Sequence, residues 1–423
     1  MNPTTKSRTP HRLVLLSAAC LCNSLALSAD LFTAISQQNL HDATPASNAL
    51  IQKIRSRATS ESVQLVKVNV AALTETQTRA GLADKAPVML SRKSMSKADD
   101  NNFSWTGVIK GGVPGDATFV VHDGKLTGTV RKGDELYRIE PVGSGIHAVI
   151  KVNEARMPPE HPPRKSDTPT GRADAVPPAT VAARSADQPQ GPIQITVAVA
   201  YTPAAAAAVG DIVATINVAV EESNKSYVNS QVNMTLKLVD TYPIDYKEKP
   251  DFDTMVADFA NMPMVKQKRD ATGADLVALI INQSDYCGQA YDIAPDAEHA
   301  FAIIHFDCAT GYYSFAHELG HLIGARHDPA DDPTNTPFPY GHGYQYLKPP
   351  KPWRTIMAYD CPKHCTRLQF WANPNIKFEG VPMGNATVSN DSRVLNERAP
   401  LVAQYRQPKP ALAATGSDSQ KKP

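Results

Sequence analysis

The sequence has no excess of charge of either sign. It carries 43 Lys and Arg residues against 42 Asp and Glu residues over 423 positions, a formal net charge of +1. Proteins that bind nucleic acid or an anionic membrane surface rely on a strong positive excess, so this balance offers no electrostatic case for either partner. After the first thirty residues there is also no apolar run of about 20 residues, the length that spans a bilayer. We therefore expect neither nucleic acid binding nor a membrane span.

Cysteine is scarce, with six residues in the whole chain. Four of them lie in the second half, at Cys287, Cys308, Cys361 and Cys365. An even number in an exported chain indicates disulfides, and four cysteines allow three pairings. We favour Cys287–Cys308 and Cys361–Cys365, because each pair is close in sequence. A Cys-rich zinc site is the alternative, but Cys361-x3-Cys365 has no second pair nearby to complete a tetrahedron.

The first 29 residues have the three-part plan of a secretory signal peptide. Lys6, Arg8 and Arg12 form a basic start, Leu13 to Leu27 is mostly apolar, and small residues suited to cleavage end the segment. The apolar stretch is short for a membrane anchor. Lipidation of Cys20 is a minor alternative, since the residues before it lack the expected leucine. The segment predicts secretion, outside the cell or into the periplasm.

Turn signals and composition divide the rest of the chain. In residues 30–155, strand-like runs such as Thr118–Val121 and His147–Val152 alternate with Gly-rich turns, which predicts a small antiparallel sheet. This segment shows no catalytic constellation, and we interpret it as a propeptide domain. Residues 156–191 are a Pro-rich linker, whose composition cannot bury enough apolar surface to pack. Residues 407–423 are predicted to form a disordered tail.

Strand and helix patterns alternate over residues 192–406, which predicts an α/β domain with a mixed sheet. Ile193–Tyr201 reads as a strand, and Thr202-Pro203 starts a helix whose apolar spacing continues to about Tyr227. Another helix is expected from about Ser314 to Gly324. Further elements are expected as strands over residues 232–239, 275–281 and 301–306, and as a closing helix over residues 392–405.

The chemistry is concentrated in the segment His-Glu-Leu-Gly-His-Leu-Ile-Gly-Ala-Arg-His. His317 and His321 are four residues apart, so two imidazoles on one helix face can reach a single zinc ion. Glu318 lies beside that face and can take a proton from the attacking water. Gly324 suits a helix end with positive φ, and the turn would return His327 as a third ligand. Three neutral imidazoles leave a fourth position open, which indicates a catalytic site.

The pattern continues into the sequence Thr-Ile-Met-Ala-Tyr around Met357. Together with the histidine segment it makes the region from residue 193 to 405 resemble the metzincin peptidases. The resemblance implies one catalytic zinc ion, with Met357 as an apolar floor beneath it. Asp328, directly after the third histidine, resembles the adamalysin branch. Tyr359 resembles the astacin and serralysin branch, where a tyrosine ligates zinc or steadies the oxyanion; a packing role is the alternative.

A closer resemblance is to the bacterial peptidyl-Asp metallopeptidases. It is carried by Val197–Pro203, by His317–Asp328, and by Arg354–Cys361 together with Cys365. This resemblance implies cleavage of polypeptides on the amino side of Asp, and less readily of Glu.

Metzincins shape the pocket for the residue after the cut with the segment that follows the methionine turn. Here that segment holds Lys363 and Arg367. Arg367 is our first candidate for binding an acidic side chain, because a guanidinium pairs a carboxylate through two parallel hydrogen bonds; Lys363 is the second. A solvated basic loop is the alternative. Arg326 is another candidate, although a position facing solvent would equally suit it. Asp328–Asp332 lacks the spacing of a calcium loop, which leaves calcium open.

We therefore expect a secreted, monomeric zinc metalloendopeptidase. The alternatives are a metzincin of broad or single-target, toxin-like specificity, and a non-catalytic zinc-binding adhesin or inhibitor, against which the presence of Glu318 argues. The leader has no cysteine between Asp30 and Gly191, so a thiolate cannot block the zinc. We expect the leader to cover the cleft, or to lend a carboxylate or imidazole to the metal. Self-cleavage in the linker would give a mature chain starting at Asp174 or Asp187.

Overall fold

The computed structural model describes residues 1, 29–36, 43–83, 86–162 and 191–406. The predicted signal peptide, most of the predicted linker and the predicted tail lie outside these ranges. Within them, no helix combines the length and the apolar character needed to cross a bilayer.

The amino-terminal unit, residues 29–156, is built on one sheet of nine strands, larger than the small sheet predicted. Its order is β1-β2-β9-β8-β7-β6-β5-β4-β3, and every neighbouring pair is antiparallel. The strands β1 to β9 are Phe32–Ala34, Ser60–Val68, Gln77–Ala80, Val88–Lys97, Phe103–Lys110, Gly115–His122, Lys125–Lys132, Glu135–Gly143 and Ile146–Val152, and helix α1 is Pro45–Ser56. Asp123 and Gly124, both with positive φ, make the two-residue turn that joins β6 to β7.

The carboxy-terminal unit, residues 191–406, is centred on a five-stranded sheet of order β11-β10-β12-β14-β13. The first four strands run parallel and β13 closes the edge antiparallel, so the predicted mixed α/β architecture is confirmed. The strands β10 to β14 are Ile193–Tyr201, Met234–Pro243, Leu276–Ile281, Gly288–Ala290 and Phe301–His305. The three central strands, β10, β12 and β14, contact a hydrophobic cluster on each face of the sheet. Their sequences are therefore continuous runs of apolar residues.

Helices and short strands complete this unit. The helices are α2 Pro203–Ala206, α3 Ile212–Asn229, α4 Phe252–Asn261, α5 Pro263–Thr272, α6 Phe306–Ala309, α7 Ser314–Ile323 and α8 Asp391–Val402. The short strands are β15 Gln345–Tyr346, β16 Trp353–Arg354, β17 Thr366–Arg367, β18 Asn373–Phe378 and β19 Val381–Met383.

The single helix predicted from Thr202 to about Tyr227 is wrong, because the structure divides it into α2 and α3. Asp211 caps α3 by accepting a hydrogen bond from Ala214 N at 3.0 Å. At Gly210 a Cβ atom would lie 1.6 Å from the carbonyl oxygen of Pro141 in the amino-terminal unit. The apolar spacing continues across the break, so it could not reveal that the other unit packs there.

Charged and polar groups join the two units, from β8 to α6 and from β7 to α3. The guanidinium of Arg138 pairs with the buried carboxylate of Asp307. On α3, Glu222 accepts hydrogen bonds from the Thr129 hydroxyl and, at 2.7 Å, from Gly311 N. Because both carboxylates are buried, these contacts fix the relative position of the units only while each stays paired.

Glu222 makes this junction sensitive to pH. Burial raises the pKa of its carboxyl from 4.5 to about 7, against hydrogen bonds from Thr129 and Gly311 and the charges of Lys225 and Arg138, which lower it. A carboxyl whose pKa is raised by folding contributes stability that is complete below the unfolded value and is lost as the pH rises through the folded value. The window for this group therefore runs from about pH 4.5 to above pH 7.

We expect Glu222→Gln to melt with the unsubstituted chain at about pH 5 and roughly 5 °C above it at about pH 8, because the amide cannot ionise. Calorimetry of both proteins, in a Glu318→Gln background to prevent self-cleavage, would measure this. Burial lowers the pKa of His147 and His305 to about 4, so their contribution is lost as the pH falls. Taking the difference between the two proteins removes that opposing contribution. A difference that does not vary with pH would contradict the assignment.

Candidate active site

Helix α7 and the turn after it bring His317, His321 and His327 together. Their Nε2 atoms lie 3.1 Å apart for His317 and His321, 2.9 Å for His321 and His327, and 3.2 Å for His317 and His327. All three rings are buried. Gly324 ends the helix with φ of 126°, a conformation that other residues rarely adopt, and so allows the chain to turn back.

The outer ring nitrogens determine which inner nitrogens carry lone pairs. His317 Nδ1 lies 2.9 Å from the carbonyl oxygen of Ile356, and His321 Nδ1 lies 2.9 Å from that of Ala325. Each carbonyl oxygen accepts a hydrogen bond from a protonated Nδ1, which leaves the Nε2 of both rings as an acceptor. Burial lowers the pKa of all three imidazoles, that of His321 to about 4, so the rings are neutral at neutral pH. Three converging lone pairs repel one another unless they share a cation, and this donor set fits zinc.

The side chain of Arg367 lies directly behind the first of these rings. It donates to the Ile356 oxygen from Nε at 2.9 Å, and its Nη2 lies 2.6 Å from His317 Nδ1. A guanidinium only donates, so it can bond Nδ1 only when that nitrogen is unprotonated. In the tautomer that leaves Nε2 free for a metal, Nδ1 is protonated and donates to the Ile356 oxygen. In that tautomer Arg367 does not donate a hydrogen bond to Nδ1.

Glu318 is buried beside the triad and lines the cleft. Room for its side chain depends on Gly288 at the start of the edge strand β13, where a Cβ atom would lie 2.7 Å from Glu318 Oε1. Sequence reasoning missed Gly288, because its contact with Glu318 spans thirty positions of the chain.

Met357 is fully buried under α7. A Cβ atom at Gly320 would lie 2.9 Å from its sulfur and 2.7 Å from the ring of Trp371, so the glycine lets the helix approach this floor closely. The histidine-bearing helix therefore rests on an apolar base, which supports the ligand rings from the side opposite the cleft.

Asp328 ties the third histidine to the segment after Met357. Its Oδ1 accepts a hydrogen bond from Tyr359 N at 2.9 Å, and the Tyr359 ring centroid lies 4.1 Å from that of His327. The structure thus gives Asp328 a positioning contact that its place in the motif did not reveal. Asp332 pairs with Arg326 at 2.8 Å. Arg326 is buried in that pair, so the alternative in which it faces solvent is wrong.

Both predicted disulfides are present in the carboxy-terminal unit. Cys287–Cys308 fastens the residue before edge strand β13 to α6. Cys361–Cys365 closes the small loop that precedes Arg367. Lys363, the second candidate for acid binding, is exposed on that loop, whereas Arg367 is buried behind His317; neither is among the residues that line the cleft.

Residues 157–162, which we call the cleft strap, run across the site. The carbonyl oxygen of Pro159 accepts a hydrogen bond from Cys287 N at 2.9 Å. The Glu160 carboxylate pairs with Arg367 Nη1 at 2.6 Å, and its side chain is only 4% exposed. The expectation that the whole Pro-rich stretch is unpacked is therefore wrong for these residues. Composition did not reveal that backbone hydrogen bonds, one ion pair and the packing of Met157 against Cys287, Cys308 and Tyr312 hold the strap.

Comparisons with known proteins agree with this geometry. Residues 192–371 match metallo-peptidase family M12 (Reprolysin_5). The chain is 37% identical over 391 residues to a Stenotrophomonas maltophilia protein named peptidyl-Asp metalloendopeptidase, covering 87% of this chain and 92% of that protein. A Xanthomonas campestris protein of the same name is 35% identical over 421 residues, covering 95% and 100%. A Pseudomonas fragi protein, also so named, is 38% identical over 185 residues, covering 44% and 100%. By its sequence over most of its length, the chain belongs to the metalloendopeptidase family that these proteins represent.

Proposed function

We propose that this metalloendopeptidase is an exported zinc enzyme that cuts polypeptides on the amino side of Asp and, less readily, of Glu, and that the amino-terminal unit is its propeptide. One observation carries the specificity: the buried guanidinium of Arg367, next to His317, already holds an acidic side chain, that of Glu160. A buried cation beside His317 favours an anionic partner, since a neutral side chain would leave it unpaired.

In this proposal the three imidazoles would hold a zinc ion, whose chemistry when bound would be Lewis-acid polarisation of the scissile carbonyl and a lowered pKa of the attacking water. Glu318 takes the proton of that water and passes it to the leaving amine, a role that suits a buried carboxylate beside the triad. Arg367 holds the acidic side chain after the cut through its guanidinium, which fixes the register of the peptide.

Tyr359 is suited to steady the negative charge that develops on the scissile oxygen. Its hydroxyl donates to the carbonyl oxygen of His161, which shows that the group can reach a peptide carbonyl in the cleft. The contact between Tyr359 N and Asp328 holds the residue in place for this role. A donor already positioned where charge develops lowers the barrier without reorganisation.

Export agrees with the two disulfides, which form and persist in oxidising compartments. The propeptide assignment rests on the strap, which joins the amino-terminal unit to the cleft and bonds Arg367 and Tyr359. Mapping the cuts in a denatured protein mixture, with and without a chelator, tests the function. We expect cuts before acidic residues that stop when the metal is removed. Cuts scattered over all residue types would leave a metalloendopeptidase of broad specificity, and cuts in one protein alone would favour the single-target alternative.

The mature enzyme should begin with an aspartate. The Pro-rich stretch contains Ser166-Asp167, Ala173-Asp174 and Ala186-Asp187, all outside the described residues, and we expect a start at Asp174 or Asp187. Cuts beyond Ile193 should be resisted, because β10 pairs with β11 and β12 in the sheet. Amino-terminal sequencing of the secreted enzyme would identify the start. Glu318→Gln, produced without other proteases, should stay uncut; normal processing of that variant would mean that another protease does the work.

A further inference from the structure

Two arginines lie side by side behind the three histidines. Arg354 of β16 is opposite Arg367 of β17 in their parallel pairing, and both side chains are fully buried. Two buried cations repel each other, and each loses the hydration that it would have at the surface. Such a pair persists only where other contacts compensate for the loss.

The side chain of Tyr312 compensates both cations. Its ring centroid lies 5.2 Å from Cζ of Arg354 and 5.1 Å from Cζ of Arg367, and the negative face of an aromatic ring attracts a guanidinium. The Tyr312 hydroxyl accepts a hydrogen bond from Arg354 Nη2 at 2.7 Å. The Tyr312 carbonyl oxygen accepts one from Arg367 Nη1 at 3.0 Å. This single residue therefore links the two arginines.

The two cations differ in their carboxylate partners. Arg354 Nε lies 3.6 Å from Oδ1 of Asp360, an oxygen that also accepts hydrogen bonds from the backbone of the disulfide loop. Arg354 thus has an acidic neighbour within the carboxy-terminal unit. The carboxylate paired with Arg367 belongs to Glu160 of the strap. Once the strap has left, as the proposed function requires, Arg367 is the cation that takes the acidic side chain of a substrate.

Arg367 is fixed in depth by this arrangement. Besides its bond to the Tyr312 oxygen, its Nε donates to the Ile356 oxygen at 2.9 Å. Arg354 Nη1 donates to the Ala358 oxygen at 2.6 Å, in the methionine turn. Arg354 therefore ties Tyr312 to the methionine turn, and Tyr312 in turn holds Arg367. A cation held in this way cannot move to meet carboxylates on side chains of different length.

We propose that Arg354 and Tyr312 are positioning residues of the acid-binding pocket, and that they make it favour Asp over Glu by holding Arg367 at one depth. The inference rests on the proposed function, in which Arg367 binds the acidic side chain after the cut. That function fixes the scissile carbonyl at the three histidines, so the length of the side chain decides where its carboxylate lies. Glu160 reaches Arg367 without this constraint, because its backbone is placed by the bond between the strap and Cys287 N.

The test uses three peptides that differ only in the residue after the cut, which is Asp, Glu or Asn. In the processed enzyme, Tyr312→Phe should lower the ratio of kcat/KM for the Asp peptide to that for the Glu peptide roughly 3- to 10-fold, because one hydrogen bond to Arg354 is lost. The ring and the carbonyl oxygen still contact Arg367, so the cation stays but is held less firmly. General damage lowers all three rates together, leaves this ratio unchanged, and is measured by the Asn peptide and the zinc content.

Tyr405→Phe is the matched control. Its hydroxyl also accepts a hydrogen bond from a buried arginine, Arg398, at 3.1 Å, and it donates to the Pro295 oxygen at 2.6 Å. The change therefore removes the same kind of contact after helix α8. The ratio for Asp over Glu should stay within about twofold of that of the unsubstituted enzyme, as is usual for independent sites.

Arg354→Lys tests the other end of the link. Lysine keeps the charge but lacks the planar fork that bonds the Tyr312 hydroxyl and the Ala358 oxygen together. The ratio should again fall, and the double variant should lose no more than the more affected single variant, because both changes break one contact. A ratio that both single variants leave unchanged, or that Tyr405→Phe lowers equally, overturns the proposal. Losses that multiply in the double variant overturn it as well. An unsubstituted enzyme without preference for acidic residues would refute the proposed specificity itself and this inference with it, so the two failures are distinguishable.

Discussion

Glu318→Gln should keep the metal and cleave peptides about 10²- to 10⁴-fold more slowly, the range that a positioned acid–base group contributes. The amide retains the shape of the side chain, so the contact with Gly288 and the three histidines should be undisturbed. It cannot accept the proton of the attacking water. Steady-state kinetics on a peptide substrate, with zinc content measured on the same sample, would separate a lost base from a lost metal.

The matched comparison is Glu318→Asp, which keeps the carboxylate and withdraws it by one methylene. It should recover part of the activity, because the base is present but displaced. Near-normal turnover by Glu318→Gln at full zinc occupancy would remove Glu318 from the mechanism and would favour a zinc-binding protein with another role.

Replacing Arg367 should destroy selectivity for acidic residues. In the processed enzyme, the ratio of kcat/KM for a peptide with Asp after the cut to the same peptide with Asn should fall roughly 10²- to 10³-fold in Arg367→Gln, because a buried charge pair loses one partner. Arg367→Lys should lose less, keeping the charge without the planar fork. The rate on the Asn peptide and the zinc content report whether the pocket still folds.

Lys363→Gln provides the control, on the disulfide loop that precedes Arg367. It removes the other cation that the sequence offered, at a position that the structure leaves exposed. Its selectivity should remain within about twofold of the unsubstituted enzyme, as is usual for exposed charges. If Lys363→Gln lowers selectivity and Arg367→Gln does not, the acid-binding pocket lies elsewhere on the loop.

The three histidines of the candidate metal site were predictable because their geometry is local. Two ligands four residues apart on one helix and a third after a glycine turn need no knowledge of the distant chain. Arg367 was predictable in kind, since the segment after Met357 offered few cations. Its burial and its contact with His317 were not, because they depend on how β17 lies beside the helix α7.

The features that sequence reasoning missed all depend on distant contacts. Glu160 and Arg367 are 207 positions apart. No repeating pattern in the sequence around either residue indicates that they form an ion pair. The break between α2 and α3 lies where Gly210 packs against the carbonyl of Pro141, in the other unit. A composition rule that marks Pro-rich stretches as unpacked does not detect a strap held by backbone hydrogen bonds.

The polar junction between the units would have a consequence for the enzyme if, as proposed, the amino-terminal unit is cut away. The carboxy-terminal unit contributes Asp211, Glu222 and Asp307 to that junction, paired with His122, Thr129 and Arg138 respectively. The apolar cluster there is small, formed by Val120, Ala214 and Val218. A face stripped of such a partner exposes carboxylates that water solvates readily, with little apolar area to drive self-association. Removal of the leader would therefore leave an enzyme whose newly exposed face does not promote aggregation and needs no further subunit to cover it.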